Sequence, residues 1–151
     1  MIPLALSTGT FALARALGWA GLDPLDDWSV AAAVGLACMF LVTGTWHFVG
    51  IRRAGMVMMV PPRLAAATRL RPERLVSITG VLELLGAVGL LVPATRPPAA
   101  AALAVLLVAM FPANWYAQRT YPGTALVSMS LPARTAAQVW FVALCLVAAL
   151  G

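Results

Sequence analysis

Apolar residues run along this chain in long blocks, and four of them are long enough to be spanning helices. They are about Ser29 to Val49, Leu75 to Val92, Pro98 to Ala117 and Thr135 to Leu150. The yardstick is a hydrocarbon core about 30 Å thick, which takes about 20 mostly apolar helical residues to cross. The first three blocks end at breakers: Arg52-Arg53, Pro93, and the turn from Arg119 to Gly123. A fifth block, about Pro3 to Leu22, is interrupted by Ser7-Thr8-Gly9-Thr10 and by Arg15. Arg15 lies close enough to its end to snorkel toward headgroups, so this block is read as a span in preference to a helix lying in the interface, which would leave the other four spans oriented as before. The expected architecture is all-α. It is a transmembrane helical bundle with a four-helix core plus an additional N-terminal helix, forming a single membrane domain over residues 1–151.

Composition strengthens this reading. Only 10% of the residues are charged and 62% are hydrophobic, against about 25% charged in an ordinary soluble domain. Too little polar surface is available to clothe a soluble fold, so lipid is the expected solvent. The net charge is +5 and every basic residue is an arginine. Arg52, Arg53, Arg63, Arg69, Arg71 and Arg74 share one loop, and Arg119 and Arg134 share the connection after the block from Pro98 to Ala117. No basic helix is interleaved with aromatics, which argues against nucleic acid. The opposite loops hold Arg96 and the acidic group Asp23, Asp26 and Asp27. The positive-inside rule then puts both Arg-rich segments in the cytoplasm, with a cytoplasmic N-terminus and an outer C-terminus. No basic residue precedes Arg15, so the N-terminus does not read as a signal peptide. Met56-Val57-Met58-Met59-Val60-Pro61-Pro62 is too apolar for a solvated loop and too short to span. It is expected to dip along the bundle or lie in the interface, with the proline pair stopping any helix.

Polar side chains inside the blocks carry the candidate chemistry, because bare polar groups in lipid cost free energy. Glu83 lies in Gly80-Val81-Leu82-Glu83-Leu84-Leu85-Gly86, where a spacing of three suggests one face shared by Gly80, Glu83 and Gly86. Small residues mark close helix approach, so Glu83 is expected to face the bundle interior. His47 has Thr43 one turn before it, Asn114 is four residues from Gln118, and Gln138 follows Arg134 by four. All these groups fall in the predicted cytoplasmic half of their helices. A polar pocket opening to that side, with His47 and Glu83 in contact, is the expected consequence. The plain alternative is interhelical hydrogen bonding, worth about 0.6 kcal/mol per group on average. It explains His47, Asn114 and Gln138 more readily than a buried carboxyl. Trp46, Trp115, Tyr116 and Tyr121 near one set of helix ends, and Trp19 and Trp28 near the other, read as aromatic belts. Cys38 and Cys145 form no redox or metal-binding motif, and no metal site is expected.

Several short stretches follow one another in a recognisable order. They are Gly44-Thr45-Trp46-His47-Phe48, Met59-Val60-Pro61-Pro62, Thr79-Gly80-Val81-Leu82-Glu83-Leu84-Leu85-Gly86, Gly89-Leu90-Leu91-Val92-Pro93 with Arg96, and Met110-Phe111-Pro112-Ala113-Asn114. From about Trp28 onward the chain resembles the DoxX-like family of small bacterial membrane proteins. The resemblance implies a four-helix membrane core, with the first helix outside it. It also brings in relatives linked to redox work: a quinone-reducing thiosulfate oxidoreductase subunit and a maturation protein for a methylamine dehydrogenase. This chain has no cysteine pair for thiol–disulfide exchange.

The leading functional expectation is a protein of the bacterial inner membrane that binds a lipophile or supports a membrane oxidoreductase partner. His47, Glu83, Asn114, Gln138 and Thr43 are the candidate ligand-binding residues. The sequence names no cofactor, although a quinone suits such a pocket, and lone His47 is a weak haem ligand. The alternative is a membrane enzyme, an isomerase, cyclase or epoxide-opening catalyst, with Glu83 as general acid and His47 as base. A proton-coupled transporter is a third reading. It lacks a polar continuation through the outer half, which only a homo-oligomer could supply.

Overall fold

The chain is described by a computed structural model that covers residues 2–124 and 129–151. Within them every regular element is helical: α1 (Ile2–Trp19), α2 (Trp28–Trp46), α3 (Gly50–Met59), α4 (Pro62–Thr68), α5 (Pro72–Leu91), α6 (Arg96–Thr120) and α7 (Leu131–Leu150). Short 3-10 turns at Asp23–Leu25 and Pro93–Thr95 precede α2 and α6. Four helices are long and apolar enough to cross a membrane: α2, α5, α6 with its preceding turn, and α7. α1 is long enough but is not among them, because Ser7-Thr8-Gly9-Thr10 and Arg15 make it less apolar.

Local chemistry sets the helix ends. Asp27 caps α2 by accepting the Ser29 backbone N–H at 2.6 Å. Proline at the first or second position opens α4, α5, α6 and α7, where its missing N–H costs nothing. α2 stops at Trp46, three residues before the expected Val49, and the chain turns through Gly50 (φ +34°) into α3. α3 ends at Met59, ahead of the Pro61-Pro62 pair, as the sequence suggests. α7 begins at Leu131, four residues before the expected Thr135, because the Leu131-Pro132 pair suits a helix start. That extension moves Arg134 from a connecting turn into a helix.

α2, α5, α6 and α7 alternate in direction and close a ring, with α2 beside α5 and α7, and α6 beside the same two. α1 lies along the outside of α2. Glycines set the close approaches: a Cβ on Gly35 would lie 2.7 Å from the Ser7 carbonyl, and one on Gly80 would lie 2.5 Å from His47 Cβ. Leu36, Phe40, Leu90, Leu103 and Cys145 form the dry centre. Leu85, Val105 and Val139 face outward, each more than 60% exposed. An apolar exterior of this kind asks for a non-aqueous surrounding.

Two expectations need correction. Gly80 and Glu83 face α2, but Gly86 faces Leu103 of α6. A step of three residues falls about 60° short of a full turn, so two steps carry Gly86 round to another neighbour. Arg15 does not snorkel outward. It is 5% exposed, donates to the Leu25 and Asp26 carbonyls and pairs with Asp26 Oδ1 at 3.2 Å. Its guanidinium lies 4.3 Å from the Trp28 ring centroid and 5.2 Å from that of Trp19. Local carbonyls, a carboxylate and two indole faces offer more than a reach to the surface would.

Candidate functional site

At the end of the ring opposite Arg15, the helices part around a cavity of about 790 Å³. Phe40 and Leu107 belong both to its lining and to the dry core, so the cavity sits directly on the packed half. Met56 and Met59 of α3 line it as well. The Met-rich stretch is helical as far as Met59, with Met56 and Met59 on the cavity wall and Met58 exposed. Met side chains adapt readily to differently shaped neighbours.

Two polar clusters lie on the cavity wall. The first joins α2 to α5. His47 Nε2 is 3.3 Å from Glu83 Oε1, and Thr43 Oγ1 donates to Glu83 Oε2 at 2.7 Å. His47 Nδ1 lies 2.9 Å from the Val76 carbonyl. A carbonyl can only accept, so Nδ1 carries a hydrogen and the imidazole tautomer is set. Nε2 then either accepts from a protonated Glu83 or donates to an ionised one. In both cases a single proton lies between the two side chains. Glu83 is 2% exposed and His47 7%. Arg53 braces this cluster by donating to the His47 carbonyl at 2.8 Å and to Ser77 Oγ at 3.0 Å. A cation there also suits the carbonyl end of α2.

The second cluster joins α6 to α7. Arg134 Nη1 donates to Asn114 Oδ1 at 2.8 Å, Asn114 Nδ2 to Gln138 Oε1 at 3.4 Å, and Gln138 Nε2 to the Leu107 carbonyl at 2.6 Å. The ends of this chain fix both amide orientations, since arginine only donates and a carbonyl only accepts. Leu107 precedes Val108, whose carbonyl loses its helical donor to Pro112.

His47, Glu83, Thr43, Asn114 and Gln138 all line the one cavity. No hydrogen bond joins their two clusters among the described residues. Gln118 is absent from the lining, and its buried Oε1 has no partner. Sequence reasoning missed Arg134 as a wall residue, although its spacing of four from Gln138 was the available signal. It also missed the bracing Arg53 and the wall position of Trp46, whose ring carries Arg52 at 3.8 Å. Among the described residues no group of three His, Cys, Asp or Glu could hold a metal ion. Cys38 and Cys145 are unpaired thiols.

A family model described as a domain of unknown function (DUF8561) matches residues 36–149. The match takes in every polar residue of the cavity wall and leaves out α1. No curated protein and no solved structure matches the chain.

Proposed function

The chain belongs to the family described as a domain of unknown function (DUF8561), and from that premise we propose that it binds a lipophilic molecule within a membrane. In this reading it is a multi-pass protein of the bacterial inner membrane, with α1 packed outside a spanning four-helix core. The observation that carries the reading is a large cavity with mainly apolar walls and two clusters of hydrogen-bonding side chains. Ligand pockets combine apolar surface with a few placed polar groups in this way. His47 and Glu83 hold a carbonyl- or hydroxyl-bearing head, of which a quinone is the reference case, and the tail lies among Leu, Met and Phe. Eight of the ten arginines lie at or beyond the cavity end of the helices, which supports a cytoplasmic opening. The motif order supports kinship with DoxX-like proteins and a role beside a membrane oxidoreductase.

Delipidated protein in nanodiscs of one synthetic phospholipid tests the proposal. Adding back the lipophile extracted during purification should raise the unfolding temperature of wild type and leave Glu83→Gln unmoved. An unchanged wild type would remove the basis of the reading.

A second reading rests on the His47–Glu83 contact itself. A pair that shares one proton beside a cavity can shuttle it to and from a carbon next to a carbonyl. Deuterium uptake by the bound lipophile from heavy water should then occur with wild type and stop with Glu83→Gln. Equal uptake in the two proteins would eliminate this acid–base role.

A further inference from the structure

Arg134 lacks a counter-charge. We infer that the cavity ligand carries a carboxylate, held by Arg134 on the α6–α7 wall. This rests on the cavity being a ligand site and adds the chemical class of the ligand.

Arginine stays protonated under all ordinary conditions. The chain has five acidic residues: Asp23, Asp26, Asp27, Glu73 and Glu83. Asp26 pairs with Arg15 and Glu83 with His47, and among the described residues no carboxylate lies within 4.0 Å of Arg134. The three aspartates precede α2, at the far end of the bundle from the cavity. An arginine on a mainly apolar cavity wall with no anion beside it is costly, and intramembrane charges normally find a partner.

The hydrogen bonds of the α6–α7 wall all run in one direction. From Arg134 through Asn114 and Gln138 to the Leu107 carbonyl, each donor is consumed by the next acceptor. What remains is donor capacity on the arginine. Nη1 is engaged with Asn114, whereas Nε is buried and has no partner. The Nε–Nη2 edge of a guanidinium presents two parallel N–H groups, which match the two oxygens of a carboxylate. The helix end points the same way. Arg134 sits in the first turn and a half of α7, whose N-terminus receives no side-chain cap from Ser130. The partial positive charge of that end opposes a cation and favours an anion.

The rest of the cavity sets the rest of the ligand. Met39, Phe40, Met56, Met59, Leu106 and Phe141 give it apolar walls. A long-chain carboxylic acid whose chain also bears a carbonyl or hydroxyl group supplies the anion for Arg134, a partner for His47 and Glu83, and the tail. A neutral lipophile would satisfy only the His47–Glu83 side.

The test is equilibrium binding of tritiated palmitate and of tritiated methyl palmitate to nanodisc-held protein in mildly alkaline buffer. The two probes share a tail and differ in the charge of the head. Wild type should hold palmitate about tenfold or more tighter than the ester, the scale expected of a charge-assisted hydrogen bond. Arg134→Gln should erase that preference, and Arg134→Lys should keep part of it. Saturable binding of both probes with equal affinity in wild type would overturn the carboxylate assignment and leave the lipophile site standing. Retention of the preference in Arg134→Gln would overturn it equally. Binding of neither probe would overturn it as well, and the lipophile reading would then be decided by the add-back of the extracted lipophile. The wild-type comparison decides even if a variant fails to fold.

Discussion

At the Trp28 end of α2, Arg15 is enclosed by its own partners, while at the His47 end Arg134 lines a cavity with one hydrogen bond to protein. Both are arginines in largely apolar surroundings, and in both Nε goes unbonded. The difference lies in what stands opposite. Arg15 has a carboxylate, two carbonyls and two indole faces. Arg134 has an amide oxygen and open volume. A closed charge of the first kind ties α1 to the turn before α2, and its carboxylate leaves it electrically paired. An open charge of the second kind is an unfinished interaction. The same contrast holds for apolar packing, since Leu36, Leu90, Leu103 and Cys145 fill the bundle centre and leave no space comparable to that beside His47.

Substitutions can break this contrast or sharpen it. The largest effect is expected from Gly80→Leu, because even a Cβ there would lie 2.5 Å from His47. Overpacking at such a point should cost about 3 kcal/mol in reversible unfolding from mixed micelles. A tolerated leucine would mean that α2 and α5 are not closely apposed. Next comes Arg15→Ala, which strands Asp26 and empties the space between the two indoles. A loss of about 2 kcal/mol is expected, with lipophile content unchanged; reduced lipophile content would show that the two ends are coupled. Glu83→Gln should reverse that pattern. Stability should stay within about 1 kcal/mol of wild type, while lipophile retained through purification falls by about tenfold.

The smallest effect belongs to Asp27. Hydrogen bonds from Ser29 hold its carboxyl below the usual aspartate range. Its folded-state pKa therefore lies under the unfolded one, about 3.9. The cap is fully effective above that unfolded value and fades as pH falls through the folded one. Asp27→Ala should cost roughly 1 kcal/mol near neutrality. The gap to wild type should narrow on strong acidification, and a gap independent of pH would assign the effect to something other than the ionised cap.

The sequence makes the closed architecture more legible than the open site. Block length identifies α2, α5, α6 and α7, since a spanning length of apolar residues has few other uses. The common depth of His47 and Glu83 anticipates their contact, because helices alternating in direction bring residues of equal depth together. Residue spacing resolves less. Gly86 shares a spacing with Gly80 and Glu83 yet faces another helix, since a period of three drifts against 3.6 residues per turn. Arg134 escapes because hydropathy places the start of α7 at Thr135, whereas the Leu131-Pro132 pair starts the helix a turn earlier. Arg15 escapes because its partners lie in a turn about ten residues on, where composition reveals an acidic group but not which way its backbone carbonyls point.

Native mass spectrometry of wild type beside Glu83→Gln, released from nanodiscs after mild purification, tests the central claim most directly. One lipophile on each wild-type chain is expected, and about tenfold lower occupancy on the variant. A folded wild type that emerges bare, or equal occupancy in the two proteins, would contradict it.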